Sequence, residues 1–196
     1  SNMGCREFAK ELAAYCDAYN LDGVGLDDEY STSPDLSNPW FTQWSYDAAA
    51  RLCYETKKAM PDKTVMVYYL GGINSWMPSV DGIEPGMFVD YAVADYGGTA
   101  APMQGMTVKQ CSGMSIELNR GSGDSSESTA RSKKEAGYGY YMFFALGHTT
   151  SLVNDFDDYR FQVGRCQSVA RGLYDEELLM PEYYYKKNDA TRYKLP

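Results

Sequence analysis

An apolar run that ends in consecutive carboxylates, Leu21-Asp22-Gly23-Val24-Gly25-Leu26-Asp27-Asp28-Glu29-Tyr30, is the part of this chain best equipped for chemistry. Leu21 to Leu26 reads as a short buried strand. Alternation along a strand puts Gly25, Asp27 and Glu29 on one face and Leu26 and Asp28 on the other. Two carboxylates that share a pocket raise each other's pKa, so one stays protonated near neutrality while the other is ionised. That is the condition for general acid–base catalysis. The same residues have two other uses. One is a merely solvated acidic turn. The other is an oxygen-ligand site for magnesium or calcium, although the chain has no DxDxDG loop.

The elements that must position these residues alternate strand with helix. Gly4 to Asn20 is helical, with Phe8, Leu12, Tyr15 and Tyr19 at helical spacing. After strand 21–26, Ser31 to Pro39 is a polar loop, and Ser45 to Met60 is a second helix with Ser45 as its N-cap. Thr64 to Leu70 is a β-branched and aromatic strand closed by Gly71-Gly72. Phe88 to Ala94 and Met114 to Leu118 are further strands, and the connection from 70 to 88 lacks a full helix. A helix ending at Glu135, a long aromatic strand from Tyr138 to Leu146 and a last helix from Asp155 to Tyr174 complete the pattern. It is the pattern of a parallel sheet covered by helices.

Composition narrows the partners. The 196 residues are 44% hydrophobic, enough for one sizeable core, and the formal net charge of −9 argues against nucleic acid and anionic membranes. No apolar run approaches the roughly 20 residues of a membrane-spanning helix, and the polar start reads as helix entry rather than a secretion signal. The five cysteines form no CxxC pair, which speaks against zinc and thioredoxin-like sites. No GxSxG elbow or phosphate-cradling glycine loop is present, and no cofactor is expected. Tyrosine contributes 18 residues, a composition that suits sugar-binding clefts as well as ordinary strand packing. Trp40, Trp44, Trp76 and the single histidine, His148, fall in or just after loops that follow strands, where a rim contact or plain packing would place them.

Asp22 to Glu29 resembles the DGxDxDxE signature of glycoside hydrolase family 18, and Leu21 to Tyr30 resembles the form found in bacterial endo-β-N-acetylglucosaminidases of the H and F type. Phe8-Ala9-Lys10-Glu11-Leu12, Val89-Asp90-Tyr91-Ala92 with Tyr96-Gly97-Gly98, and Gly137-Tyr138-Gly139-Tyr140 resemble that family's third helix, sixth strand and eighth strand in the same order. The resemblance implies a (β/α)8 TIM barrel, here truncated and lacking its first three strands, with residues 1–175 as the C-terminal part of the barrel and 176–196 as a tail. It implies a glycan or glycoprotein partner and a secreted, periplasmic or cell-surface location.

The implied activity is cleavage of GlcNAc β-1,4 linkages in N-glycans or chitin-type oligomers. The substrate's own 2-acetamido oxygen serves as nucleophile, an exception to the two-carboxylate scheme. On this resemblance Glu29 is the general acid and then base, Asp27 holds the acetamido N–H, and Tyr96 bonds the acetamido carbonyl. Gly25, Tyr69, Ala94 and Trp76 are the substrate-binding candidates, and no metal is implied. The chain departs from the family pattern where an inward Asp is expected and Gly25 stands, and where amides are expected and Tyr69, Ala94 and Ala145 stand. Those departures leave a second reading open: a catalytically weakened, glycan-binding relative.

Overall fold

A computed structural model describes residues 2–28, 46–146 and 155–179. Among the described residues the α-helices and strands follow in the order α1 (Asn2–Ala18), β1 (Gly23–Leu26), α2 (Tyr46–Ala59), β2 (Thr64–Tyr69), β3 (Tyr91–Ala94), β4 (Ser112–Glu117), α3 (Glu127–Glu135), β5 (Tyr140–Phe144) and α4 (Asp155–Tyr174), with no α-helix between β2, β3 and β4. The link from β2 to β3 carries only a 3-10 turn, Pro85–Met87, as its sequence predicts. Glu29, Trp40, Trp44, Ser45 and His148 lie outside the described residues.

All five strands run parallel, in two small open sheets. One has the order β1-β2-β3 and the other pairs β4 with β5. A parallel bridge, Ala92 to Cys111, joins the sheets, with further hydrogen bonds from the segment after β3 to β4. Among the described residues β1 pairs only with β2, and β5 only with β4, so each leaves one edge open. The architecture is a partial α/β fold.

The helices and long loops cover one face of β2, while β4 is buried on both faces. Val65 and Val67 of β2 are fully buried, while Met66 and Tyr68, which alternate with them, are half-buried. The buried side of β2 and β3 meets Ala50 and Cys53 of α2 and the long loops that supply Ile73, Met77, Phe88 and Met103. Cys16 of α1 packs with Met60 and Val65 beneath β1. Met114, Ile116 and Leu118 pack with Ala130 of α3 and Val169 of α4. Burial of each Val, Ile or Leu side chain stabilises by about 1.5–3 kcal/mol before conformational entropy is subtracted. Between α1 and α2 the buried Glu55 carboxylate accepts from Arg6 Nε at 3.0 Å, with Arg51 at 3.7 Å. Two flanking guanidinium groups make the burial of that charge tolerable.

β4 starts earlier than its apolar residues suggest. Ser112 and Gly113 belong to the strand and are buried. The Ser112 hydroxyl accepts the Ala94 N–H at 3.2 Å, and the Ser112 carbonyl accepts the Ala100 N–H at 3.0 Å. These neighbours satisfy a polar strand start that would otherwise be costly to bury.

Candidate active site

Because the strands are parallel, their C-terminal ends converge on one side, the place where α/β folds hold ligands. A cleft of about 470 Å³ opens there, with β1, β2, β3 and β5 contributing walls. Gly25, Leu26 and Asp27 line it from β1 and just beyond its end, Met66, Tyr68 and Leu70 from β2 and its end, Val93, Asp95 and Tyr96 from β3 and the turn after it, and Met142 and Phe144 from β5.

The register explains this selection. Gly25 sits opposite Met66 in the β1–β2 ladder, and Met66 opposite Tyr91 in the β2–β3 ladder. Alternation then sends Gly25, Asp27, Met66, Tyr68, Val93 and Asp95 to the same side. Asp27 is exposed in the cleft. Asp28, on the opposite side, accepts the Gly72 N–H at 3.2 Å and so anchors the glycine turn that closes β2. Space beside Gly25 is taken by the thioether of Met66: a Cβ at position 25 would lie 2.6 Å from Met66 Cε.

Asp95 organises the middle of the cleft. Its Oδ1 accepts the Tyr68 hydroxyl at 2.6 Å and the Tyr96 backbone N–H at 2.6 Å. The Tyr68 and Tyr96 ring centroids are 6.3 Å apart, and Tyr96 and Phe144 are 5.3 Å apart, so three rings form a row from β2 to β5. Burial, then the hydrogen bond to Asp95, pushes the Tyr68 pKa well above the usual tyrosine range, with smaller contributions from Tyr96 and Asp27. Tyr68 therefore stays a hydrogen-bond donor at any working pH.

The sequence-predicted residues divide. Gly25, Asp27 and Tyr96 come together in the cleft. Glu29 lies outside the described residues. Tyr69 and Ala94 are carried to the other face of the sheet. Tyr69 packs against the core and donates its hydroxyl to the Ala101 carbonyl at 2.7 Å, and Ala94 is 6% exposed within that core. The reason is parity: each stands one residue from a cleft position, and a one-residue step reverses the face. Trp76, 86% exposed on the loop after β2, is not among the cleft-lining residues. Ala145 follows Phe144 in the left-handed region, with φ of 60°. Tyr68, Asp95, Met66 and Phe144 are the site residues that sequence reasoning missed. Strand parity counted from the buried Val65 and Val67 would have found Tyr68. Among the described residues no group of three or more His, Cys, Asp or Glu could hold a metal ion, and no helix is long and apolar enough to cross a membrane.

No family model matches the sequence. The chain is similar to endo-β-N-acetylglucosaminidases along nearly all of its length. It is 37% identical over 191 residues to endo-β-N-acetylglucosaminidase F1 of Elizabethkingia meningoseptica, covering 96% of this chain and 55% of the relative. It is 29% identical over 148 residues to an endo-β-N-acetylglucosaminidase of a Flavobacterium species, covering 74% of this chain and 46% of the relative. EndoBT-3987 of Bacteroides thetaiotamicron, solved in complex with a Man9GlcNAc2Asn substrate, superposes with a TM-score of 0.82 at 47% identity, covering all of this chain and 47% of that one. The same protein solved with a Man5GlcNAc product gives a TM-score of 0.82 at 48% identity. The chain thus spans about half the length of the relatives it matches.

Proposed function

We propose that this chain is part of an endo-β-N-acetylglucosaminidase of the glycoside hydrolase family 18 type, acting on the GlcNAc–GlcNAc core of N-linked glycans. The observation that carries the reading is the meeting of Asp27 and Tyr96 in one cleft at the C-terminal ends of parallel strands, in a chain similar throughout to such enzymes. The open parallel strands β1 to β5 are read as the latter part of a (β/α)8 barrel, whose remaining strands would pair with the open edges of β1 and β5.

In this reading the acetamido oxygen of the substrate attacks the anomeric carbon as the glycosidic bond breaks. Glu29 protonates the departing oxygen and then takes a proton from the incoming water. Asp27 holds the acetamido N–H and stabilises the positive charge of the cyclic intermediate, while Tyr96 addresses the acetamido carbonyl. The row formed by Tyr68, Tyr96 and Phe144 offers apolar faces to pyranose C–H groups. Such an enzyme works where glycoproteins are met, at the cell surface, in the periplasm or outside the cell.

The test is incubation with a high-mannose N-glycoprotein, with released glycan read by mass. Release of glycan bearing one GlcNAc, abolished by Glu29→Gln, is the expected result, because that change removes the transferable proton. Retained turnover in Glu29→Gln would reject the assignment of the acid. Absence of release by the unaltered protein, together with measurable glycan binding, would favour the glycan-binding alternative, for which the missing inward carboxylate at Gly25 speaks.

A further inference from the structure

We propose that Asp95 is a positioning residue of this cleft: one carboxylate oxygen holds both tyrosines of the ring row, and the sugar-receiving wall depends on it. The inference rests on the glycan-binding reading of the cleft.

Asp95 lies just past the end of β3, on the cleft side with Val93. Its Oδ1 accepts from a side chain of β2, the Tyr68 hydroxyl, and from the backbone of its own neighbour Tyr96. The two bonds do different work. The first fixes a ring that strand parity has already turned inward. The second fixes a residue that parity would turn outward, since Tyr96 directly follows an inward position. Its ring reaches the cleft because the chain turns there: the Asp95 carbonyl accepts the Gly98 N–H at 2.8 Å, and Gly97 takes φ of 80°, a conformation that favours glycine. The turn is in turn pinned to β4, with Gly97 N–H on the Ser115 carbonyl at 2.8 Å and Ser115 N–H on the Gly98 carbonyl at 3.1 Å.

The charge of Asp95 matters as well as its shape. Asp27 acts electrostatically on Tyr68 too, but Asp95 is the group that accepts its hydroxyl. The Tyr68 hydroxyl is thereby committed to Asp95 rather than to Asp27, which is left to meet a substrate amide. An Asp at the first position of a turn is also a common turn-former, and that simpler role predicts a different mutational pattern. Tyr68→Phe leaves the turn untouched and cuts only the link to β2.

The experiment uses the 196-residue chain, with Man5GlcNAc as the calorimetric probe. Asp95→Ala and Tyr68→Phe are each expected to weaken binding about tenfold, the usual scale for loss of a hydrogen bond to a charged group, with the double variant little worse than either single one. Asp95→Asn, whose amide oxygen can accept both bonds, should recover most of the affinity. If Asp95→Ala weakens binding and Tyr68→Phe does not, Asp95 is a turn residue only and the proposal is overturned.

A second readout does not need the glycan. In an ultraviolet tyrosinate titration, the difference between unaltered protein and Tyr68→Phe should show no ionising group across the ordinary tyrosine range. The difference between Asp95→Asn and Asp95→Asn/Tyr68→Phe should show Tyr68 ionising at lower pH than it does in the unaltered protein, with burial still holding it above the ordinary range. Identical difference curves would overturn the proposal. Failure of the unaltered chain to bind Man5GlcNAc, with the titration as expected, would reject the glycan reading while leaving Asp95 as the group that sets Tyr68.

Discussion

Gly23 and Gly25 lie two residues apart on the same face of β1, yet alanine at the two positions should have very different consequences. A Cβ at Gly23 would lie 2.1 Å from the Thr64 carbonyl oxygen and 2.7 Å from its carbon. Thr64 is the register partner of Gly23, and its own N–H is bound to the Asp22 carbonyl at 2.8 Å. Neither backbone can yield without breaking the ladder. Gly23→Ala should therefore cost about 3 kcal/mol, the upper part of the overpacking range. At a urea m-value of about 2 kcal/mol/M, the unfolding midpoint falls by about 1.5 M. At Gly25 the obstacle is the far end of Met66, a side chain with three rotatable bonds. Swinging that tip aside costs under about 1 kcal/mol and is offset by the roughly 0.5–1 kcal/mol gained when alanine replaces glycine inside a strand. Gly25→Ala should unfold within a few tenths of a molar urea of the unaltered chain, as followed by far-ultraviolet circular dichroism. Equal losses at the two positions, or a larger one at Gly25, would refute the register and the contact on which the reasoning stands.

Asp90→Ala should destabilise by about 2 kcal/mol in the same assay, because it strands the buried Val65 N–H, now held at 2.7 Å, and removes the carboxylate 3.0 Å from Lys57 Nζ, which keeps only the Lys63 carbonyl; Asp90→Asn, which keeps an acceptor for Val65, should lose less. The Thr129 hydroxyl and then the Ser126 backbone hold Asp124 below its usual 3.8, so its contribution is present above that pH and is lost as pH falls through the lower folded value. Asp124→Asn should flatten that acid limb of the stability profile, and an unchanged limb would exclude the cap of α3 as its source. Ala145, with φ of 60° beside cleft-lining Phe144, bears a left-handed conformation that costs an L-residue roughly 1–2 kcal/mol. Ala145→Gly should raise stability by about 1 kcal/mol, and a loss of that size would show the strain reading to be mistaken.

Strand–helix alternation was legible because its signals are redundant. β2 carries buried valines at alternate positions, a β-branched start and a Gly-Gly stop, and its bounds differ from the sequence reading by one residue. β4 was less legible because four of its six residues are Ser, Gly or Glu. Its burial depends on partners from other elements, such as the Ala94 N–H on Ser112 and the Ser122 hydroxyl on Glu117 at 3.4 Å. The site was legible at Asp27, where an acidic cluster ends an apolar run, and illegible at the neighbouring tyrosines. Tyr68 and Tyr69 are chemically identical, so only register separates the one that faces the cleft from the one bonded to Ala101. The one clue to that distinction in the sequence is parity counted from the alternate valines Val65 and Val67.

The cleft obeys strand alternation almost throughout, and its exceptions are informative. Gly25 and Asp27, Met66, Tyr68 and Leu70, Val93 and Asp95, Met142 and Phe144 are all separated by two residues within their own segments. Positions of this kind are set by the sheet and survive changes in neighbouring loops, since reversing them would require turning a whole strand whose other face is core. Leu26 and Tyr96 depart from the rule. Leu26 is anchored in the packing of β1 against α1 and α2, so its place is also fixed by core contacts. Tyr96 has no such support from parity. It reaches the cleft through a turn held by the Asp95 carbonyl, the Asp95 carboxylate and the left-handed Gly97. Of the residues assigned to the chemistry and described here, Tyr96 is therefore the one whose placement is most local. Perturbation at Asp95 or Gly97 should displace it while leaving Asp27 and the sheet in place.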